Sequence, residues 1–490
     1  MKEKNWYLPI ILFVALVIHN LVYYFSFNSS FPFDDAFITF RYAENICNGY
    51  GWVYNIGEVT SGATSLLYTG LISLFVYLFK TNAITVGRLL PIIFSSLLLI
   101  ISTILFQEYL KSKIYLLVYV ILFILSPTIY TMGLSGMETG FFLCTIVLIL
   151  LALHKKLYLM ASIVAGLLIY IRIDGLLFIA IYTLYIISIN NIGINKKIIL
   201  LSVTGLLITS YFLVNLFFFD LFIPLSMHAK SITYENTELI QDRIIVFYSF
   251  FRAKLVFILL PLSVVGFILI FKQRKGLSNI LAFFPFLWIA AYIIYNPWMR
   301  DWYYFIPYIF LILLSVFALA NINQLLSWVK NSNKHNRIIQ QSITLFFLIL
   351  MAIYFLRYYD INFGRSKEGS FVRSITNTAE FLSLQNSIKQ KSIFIGDIGY
   401  IGYITQAKII DYVGLVYPKA LLYTKYKRHY KSGSNIDWRK MEEFIREENP
   451  DFLVFSKKYS FYNSLKDSSS ISMTYNLINE KTGMDIWKKN

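Results

Sequence analysis

Stretches of apolar residues too long for the core of a water-soluble protein recur along the whole of this chain. Ile114–Tyr130, Ile198–Phe219, Leu255–Phe271 and Phe305–Ala320 are four of them. About 18–20 such residues in a helix cross a hydrocarbon core roughly 30 Å thick. Of 490 residues, 57% are hydrophobic and only 14% charged, where a soluble chain carries about a quarter charged. The 43 Phe and 37 Tyr suit the two membrane interfaces, where aromatic side chains concentrate.

Twelve segments are candidates for spans: 6–27, 63–79, 84–107, 114–132, 139–153, 157–171, 175–190, 197–219, 255–271, 278–295, 304–321 and 338–356. Charge placement selects among them, because Lys and Arg in short loops gather on the cytoplasmic side. If 63–79 lies in the outer interface instead of crossing, the basic clusters share one side. Lys111/Lys113, Lys155/Lys156, Lys196/Lys197, Lys272/Arg274/Lys275 and Lys330/Lys334/Arg337 then all join Lys2 and Lys4 in the cytoplasm. The expectation is a polytopic α-helical protein with about eleven transmembrane helices, its N-terminus inside. Lys2 and Lys4 before the first apolar stretch also fit a signal peptide, but no small-x-small cleavage site follows, so a retained first span is expected.

The same parity sets the domains. Residues 1–356 form the membrane domain, with a first outer loop at 28–83; connections 133–138, 172–174, 220–254 and 296–303 also face outward. Residues 357–490 change character, interleaving polar and charged residues with short strand-like runs at Ser392–Ile395 and Phe452–Phe455 and turn signals at Gly396, Gly399, Gly402 and Gly414. They read as a small extracytoplasmic α/β domain. The net charge of +17 sits mostly in short loops, which excludes nucleic acid as its partner. Two cysteines, Cys47 in a polar loop and Cys144 in an apolar run, make no disulfide framework. No zinc motif, P-loop or helix-opening GxGxxG appears, so no domain for a soluble nucleotide is expected.

Chemistry concentrates in the first outer loop. Asp34-Asp35 open a segment with helical spacing: Ala36, Phe40 and Ala43 fall on one face, and Thr39, Arg41, Glu44 and Asn48 are polar, as in a helix lying along an interface. One aspartate is explained as a helix cap favoured by the dipole; the second is not. The turn-rich segment Gly49–Glu58 follows, and Ser61-Gly62-Ala63-Thr64-Ser65 leads into the 63–79 helix. Further along stand Ser135-Gly-Met-Glu138, Arg172-Ile-Asp174-Gly175, His228-Ala-Lys230, Arg300 between Trp298 and Trp302, Gly396-Asp397-Ile-Gly399 and Asp411-Tyr-Val-Gly414. Each has a structural reading as well: Glu138 at a helix start, Arg172 with Asp174 as an ion pair, Lys230 and Arg300 as interface anchors, His228 as a lone structural histidine.

The elements DDAFITFRYAEN, GYGWVYNIGEVTSG and ATSLLYTGL resemble the first extracytoplasmic loop of the GT-C superfamily of polyprenyl-phosphate-sugar glycosyltransferases, and within it the branch containing the terminal arabinofuranosyltransferases of actinobacterial cell walls. The later elements follow in that family's order, so the resemblance covers nearly the whole chain. The chain departs from some relatives, which have an acidic residue, at Ser61 and from many, which have Pro, at Ile173, and this leaves the sugar open. The resemblance implies an inverting transfer of a sugar from polyprenyl phosphate to a hydroxyl of a cell-envelope glycan, glycolipid or protein, outside the cytoplasmic (inner) membrane. It implies a catalytic base at Asp34 with Asp35 beside it. Donor phosphate would fall to Arg300, Lys230, Arg172 and His228, since phosphate pairs well with cations. Glu138, Glu58, Arg41 and Asp174 would assist the acceptor or a divalent cation (Mg, Mn or Ca), and the sequence itself calls for no particular cofactor. The alternative from another class, a flippase or transporter of a lipid-linked glycan, calls for inverted repeats and midspan charges, neither of which the sequence contains.

Overall fold

The computed structural model describes residues 7–27, 31–233, 254–272, 276–295, 301–326, 333–359, 370–423, 427–429, 433–435, 437–457 and 460–490. The chain forms two compact units, each built from separate stretches. One takes Met1–Ser30, Leu89–Ile208 and Arg243–Ser366; the other takes Phe31–Arg88, Thr209–Asp242 and Lys367–Asn490.

The first unit is helical. Each of the eleven expected spans falls on one of its helices or on a helix entering it: Tyr7–Phe27, Ala83–Leu110, Lys113–Ile124 with Pro127–Leu134, Thr139–His154, Tyr158–Ile171, Leu176–Ser188, Ile194–Phe219, Lys254–Lys272, Gly276–Tyr295, Asp301–Asn321 and Asn333–Tyr359. By length and composition four are able to cross a membrane singly, Tyr7–Ser26, Ala83–Leu110, Ile194–Phe219 and Asn336–Arg357, and the bent pair makes a fifth. The others are shorter apolar helices among the described residues. The polarity is that of a lipid-embedded protein. On Asn333–Tyr359, Leu345, Phe346, Ile349 and Ile353 are exposed, while Gln340 is buried and donates to the Leu319 carbonyl at 2.7 Å.

Two local features are sequence-driven. The expected 114–132 span is a pair of helices meeting at 50°. Pro127 has no N–H to continue the first helix and holds Ser126 extended (φ −88°, ψ 107°) while starting the second. Helices Lys254–Lys272 and Asp301–Asn321 pack through small residues. Ser263 donates to the Leu311 carbonyl at 2.9 Å, and a Cβ on Gly266 would stand 1.9 Å from the Leu314 carbonyl oxygen. Close backbone approach of this kind is how helices associate where no hydrophobic effect separates them from lipid.

The second unit is α/β. Its five-stranded sheet has the order β2-β1-β5-β7-β6, with β1 Ser392–Ile395, β2 Lys408–Asp411, β5 Phe452–Ser456, β6 Tyr475–Asn479 and β7 Met484–Lys489. A separate ribbon pairs β3 Lys427–His429 with β4 Gly433–Asn435. β1 is parallel to β2 and β5, with helix Gly399–Thr405 as the β1–β2 crossover, and β7 is antiparallel to β5 and β6. Alternation along β1 sends Phe394 to one face and Ile393 and Ile395 to the other. The face carrying Ile393 and Ile395 is completed by Ile38, Tyr42, Tyr54 and Ala63 of the first loop, so loop and tail share one hydrophobic core.

Helix Asp34–Cys47 differs from its amphipathic pattern. Its residues Ala36 to Ala43 are buried on every side, Arg41 included at 2% exposure. The charged residue tolerates this because both of its terminal nitrogens find backbone carbonyls. Helix Leu66–Phe79 buries Tyr68, Thr69, Ile72 and Val76 and leaves Leu74, Tyr77, Leu78 and Phe79 exposed, an apolar outer face of the kind an interfacial helix needs.

Candidate functional site

The expected site residues fall into two groups, one in each unit. In the second unit, Phe33 precedes the Asp34 helix in extended conformation, and both aspartates occupy the first helical turn, where negative charge is favoured. Neither caps its own helix. The Asp34 carboxylate accepts from the backbone N–H of Tyr400 at 2.8 Å and of Gly399 at 3.1 Å. Part of the residue's surface reaches solvent, yet its carboxyl is enclosed by protein. Burial pushes its pKa up to about 7; the neighbouring Asp397 adds to the rise, the Tyr400 N–H opposes it, Asp35 raises it again and the Gly399 N–H opposes. Asp35, half-buried beside it, makes no hydrogen bond or ion pair among the described residues.

The remainder of the Gly399 helix is fixed from the same loop. Tyr54 donates to the Ile398 carbonyl at 2.6 Å, and the Tyr400 ring packs on Phe31 and Phe37 at 5.0 and 4.9 Å. Arg41 donates to the carbonyls of Gly402 (2.9 Å) and Ala407 (2.7 Å), with its guanidinium 4.2 Å over the Tyr54 ring. These carbonyls stand at and just beyond the helix C-terminus, where a cation is favoured. Tyr403 donates to Glu44. Glu58 pairs with Lys408 at 2.6 Å and accepts from Asn55 at 2.9 Å. Asp411 is buried and turns the chain after β2 by accepting from the N–H groups of Val413, Leu415 and Val416.

In the first unit, Arg172, Glu138 and Asp174 do come together. Arg172 ends helix Tyr158–Ile171 in extended conformation (φ −153°, ψ 131°). Its guanidinium meets Asp174 in a fork, 3.0 Å from Nε and 2.8 Å from Nη2, and meets Glu138 at 2.7 Å. Tyr292 donates to Asp174 at 2.6 Å. Phe142 and Tyr303 lie near the guanidinium, 5.7 and 5.3 Å away. The sequence pairing of Arg172 with Asp174 is thus present as an ion pair, enlarged by two residues. Tyr292, inside an apolar helix, carries no sequence signal for this role.

His228 is exposed on helix Leu225–Thr233. Arg300 and the side chain of Lys230 lie outside the described residues. Among the described residues there is no group of three or more His, Cys, Asp or Glu side chains placed to hold a metal ion.

Comparison with known proteins gives two findings. A protein-family profile described as a domain of unknown function (DUF8728) matches residues 365–487. The crystal structure of ArnT from Cupriavidus metallidurans in the apo state is similar over 99% of this chain and 98% of that one, with a TM-score of 0.53 at 12% identity. No curated protein sequence matches. The likeness to ArnT is one of fold, and it embraces both units.

Proposed function

We propose that this protein is an inverting glycosyltransferase of the GT-C class that moves a sugar from a polyprenyl-phosphate donor to a hydroxyl acceptor at the outer face of the cytoplasmic membrane. The observation that carries the reading is the end-to-end fold likeness to ArnT, a glycosyltransferase of that class. The DDA element at the head of a buried helix supports it. In the reaction, the bond from the anomeric carbon to the donor phosphate breaks and its electron pair leaves with polyprenyl phosphate. A bond from the acceptor oxygen to the same carbon forms, and the acceptor proton passes to a carboxylate on the opposite face.

Asp34 is that base. An enclosed carboxyl with a pKa near 7 matches a base working near neutral pH. Its two N–H donors fix its orientation and leave lone pairs on both oxygens for a proton. Asp35 keeps its carboxylate for the acceptor. Donor phosphate falls to Arg300 and Lys230, with His228 nearby in sequence. Arg172, already holding two carboxylates, serves as a tie for the turns that carry Glu138 and Asp174. The orientation that suits this chemistry has eleven spans, the N-terminus inside and residues 357–490 outside.

The test is turnover of purified protein with synthetic polyprenyl-phosphate pentoses and hexoses and a short glycan acceptor, with donor-site binding read separately using polyprenyl phosphate. Asp34→Asn is expected to lower turnover by about 10²–10⁴-fold while polyprenyl phosphate still binds. Turnover within a fewfold of wild type in folded Asp34→Asn overturns the assignment of the base. The same result in Asp35→Asn as well overturns the mechanism.

A further inference from the structure

The Gly399 helix follows β1 in a parallel β1–helix–β2 crossover, and from β2 the chain later returns to β5 on the other side of β1. In doubly wound sheets the crevice beyond the carboxyl end of such a strand is where ligands bind. Here the position is taken by another part of the same chain, the head of the Asp34 helix. The contact is a backbone one: a Cβ on Gly399 would lie 1.8 Å from the Asp34 carbonyl oxygen and 2.8 Å from its Cγ. Only glycine admits this approach, and the approach brings two consecutive N–H groups onto the Asp34 carboxylate. Tyr54, through the Ile398 carbonyl, and the Tyr400 ring, packed edge-on against Phe37, hold those N–H groups in place.

We propose that the β1–helix corner of the tail, Gly396–Tyr400, is a working part of the active site: the N–H groups of Gly399 and Tyr400 aim the Asp34 carboxylate at the acceptor, with the charge of Asp397 beside it on the same corner. Gly399, Tyr400 and Asp397 are positioning residues; Asp34 touches the substrate. The inference rests on the glycosyltransferase reading and deepens it, because it gives the tail a place in the chemistry beyond contact with the acceptor. The charged and titratable groups facing Asp34 are Asp35 on its own helix, Asp397 on the corner and Tyr54 on the first loop. The Asp397 charge opposes ionisation of Asp34, and its side chain is neither of the two N–H donors.

The experiment compares Gly399→Ala, Asp397→Asn and Asp34→Asn in the full-length protein, using whichever polyprenyl-phosphate sugar the wild type turns over. In folded Gly399→Ala, kcat is expected to fall about 10²-fold, the usual cost of a 1 Å misplacement, with polyprenyl phosphate affinity unchanged. In Asp397→Asn the acid limb of kcat/KM is expected to move to lower pH, because the ionised form of Asp34 loses a repelling neighbour. If Gly399→Ala does not fold, the limb in Asp397→Asn decides. Wild-type kcat in folded Gly399→Ala, or in its place an unmoved limb in Asp397→Asn, overturns the inference. Where Asp34→Asn is inactive in the same assay, the glycosyltransferase reading stands without it; where Asp34→Asn is active, that reading is what fails.

Discussion

Asn55 and Ile409 exchange two hydrogen bonds of 2.9 Å, the Asn55 side chain donating to the Ile409 carbonyl and accepting from its N–H. β2, which holds Ile409, is an edge strand. One side chain from the first loop therefore does what a further strand would do, and a free sheet edge is the surface most prone to wrong pairing. Asn55→Leu should lower the stability of the loop–tail unit by about 1–3 kcal/mol, since it leaves two buried backbone groups unpaired. Thermal unfolding in detergent and protease sensitivity of the tail measure it.

The second prediction concerns pH. As the proposed base, Asp34 has to be ionised to accept a proton, and burial pushes its pKa up to about 7. kcat/KM should therefore rise as pH increases through about 7 and level off above it. A carboxylate in the ordinary range near 4 would put the whole neutral region on the plateau. The full pH profile of the wild type separates the two.

The third prediction separates two roles for Arg172. Its guanidinium is held by Glu138 and Asp174, with little side-chain surface exposed on any of the three. Arg172→Gln leaves two buried carboxylates without their cation, and removal of one partner from a buried ion pair costs about 3–5 kcal/mol. Arg172→Lys should not restore stability, because an ammonium does not reproduce the fork onto Asp174. The folded fraction should bind polyprenyl phosphate as the wild type does. A large loss of that affinity without loss of stability would return Arg172 to the donor phosphate.

The fourth prediction tests packing of the helical unit. Gly266→Ala places a methyl group against the Leu314 carbonyl. Backbone yields less readily than a side chain, so overpacking of about 1–3 kcal/mol is expected. It should appear as a lowered unfolding temperature, with Ser263 and Ser315 no longer in hydrogen-bond contact at 3.0 Å.

Much of the helical unit was legible because apolar runs announce helices at any position. Strands β1 and β5 were legible for the same local reason. The bend at Ser126-Pro127 was written in the sequence but hidden by the apolar residues on both sides of it. The partners of Asp34 had no such signal. Gly399 and Tyr400 lie 365 and 366 residues away, and a donor that is backbone N–H leaves no mark on residue type. Arg41 stands among the polar positions of a helix that is amphipathic in pattern, and the carbonyls that allow its burial are equally remote. Arg172 with Asp174 was visible at a spacing of two, whereas Glu138 and Tyr292 join them only in three dimensions.

The shared core of first loop and tail bears on how the molecule is made. The stretch beginning at Phe31 is synthesised long before Lys367–Asn490, which completes its unit. Until then Arg41 has no carbonyls to grip and Asp34 has nothing to orient it, while the membrane helices between them are already in place. A nascent or truncated chain would thus carry every motif of the first loop while its Asp34 and Arg41 lacked the backbone partners that the tail supplies.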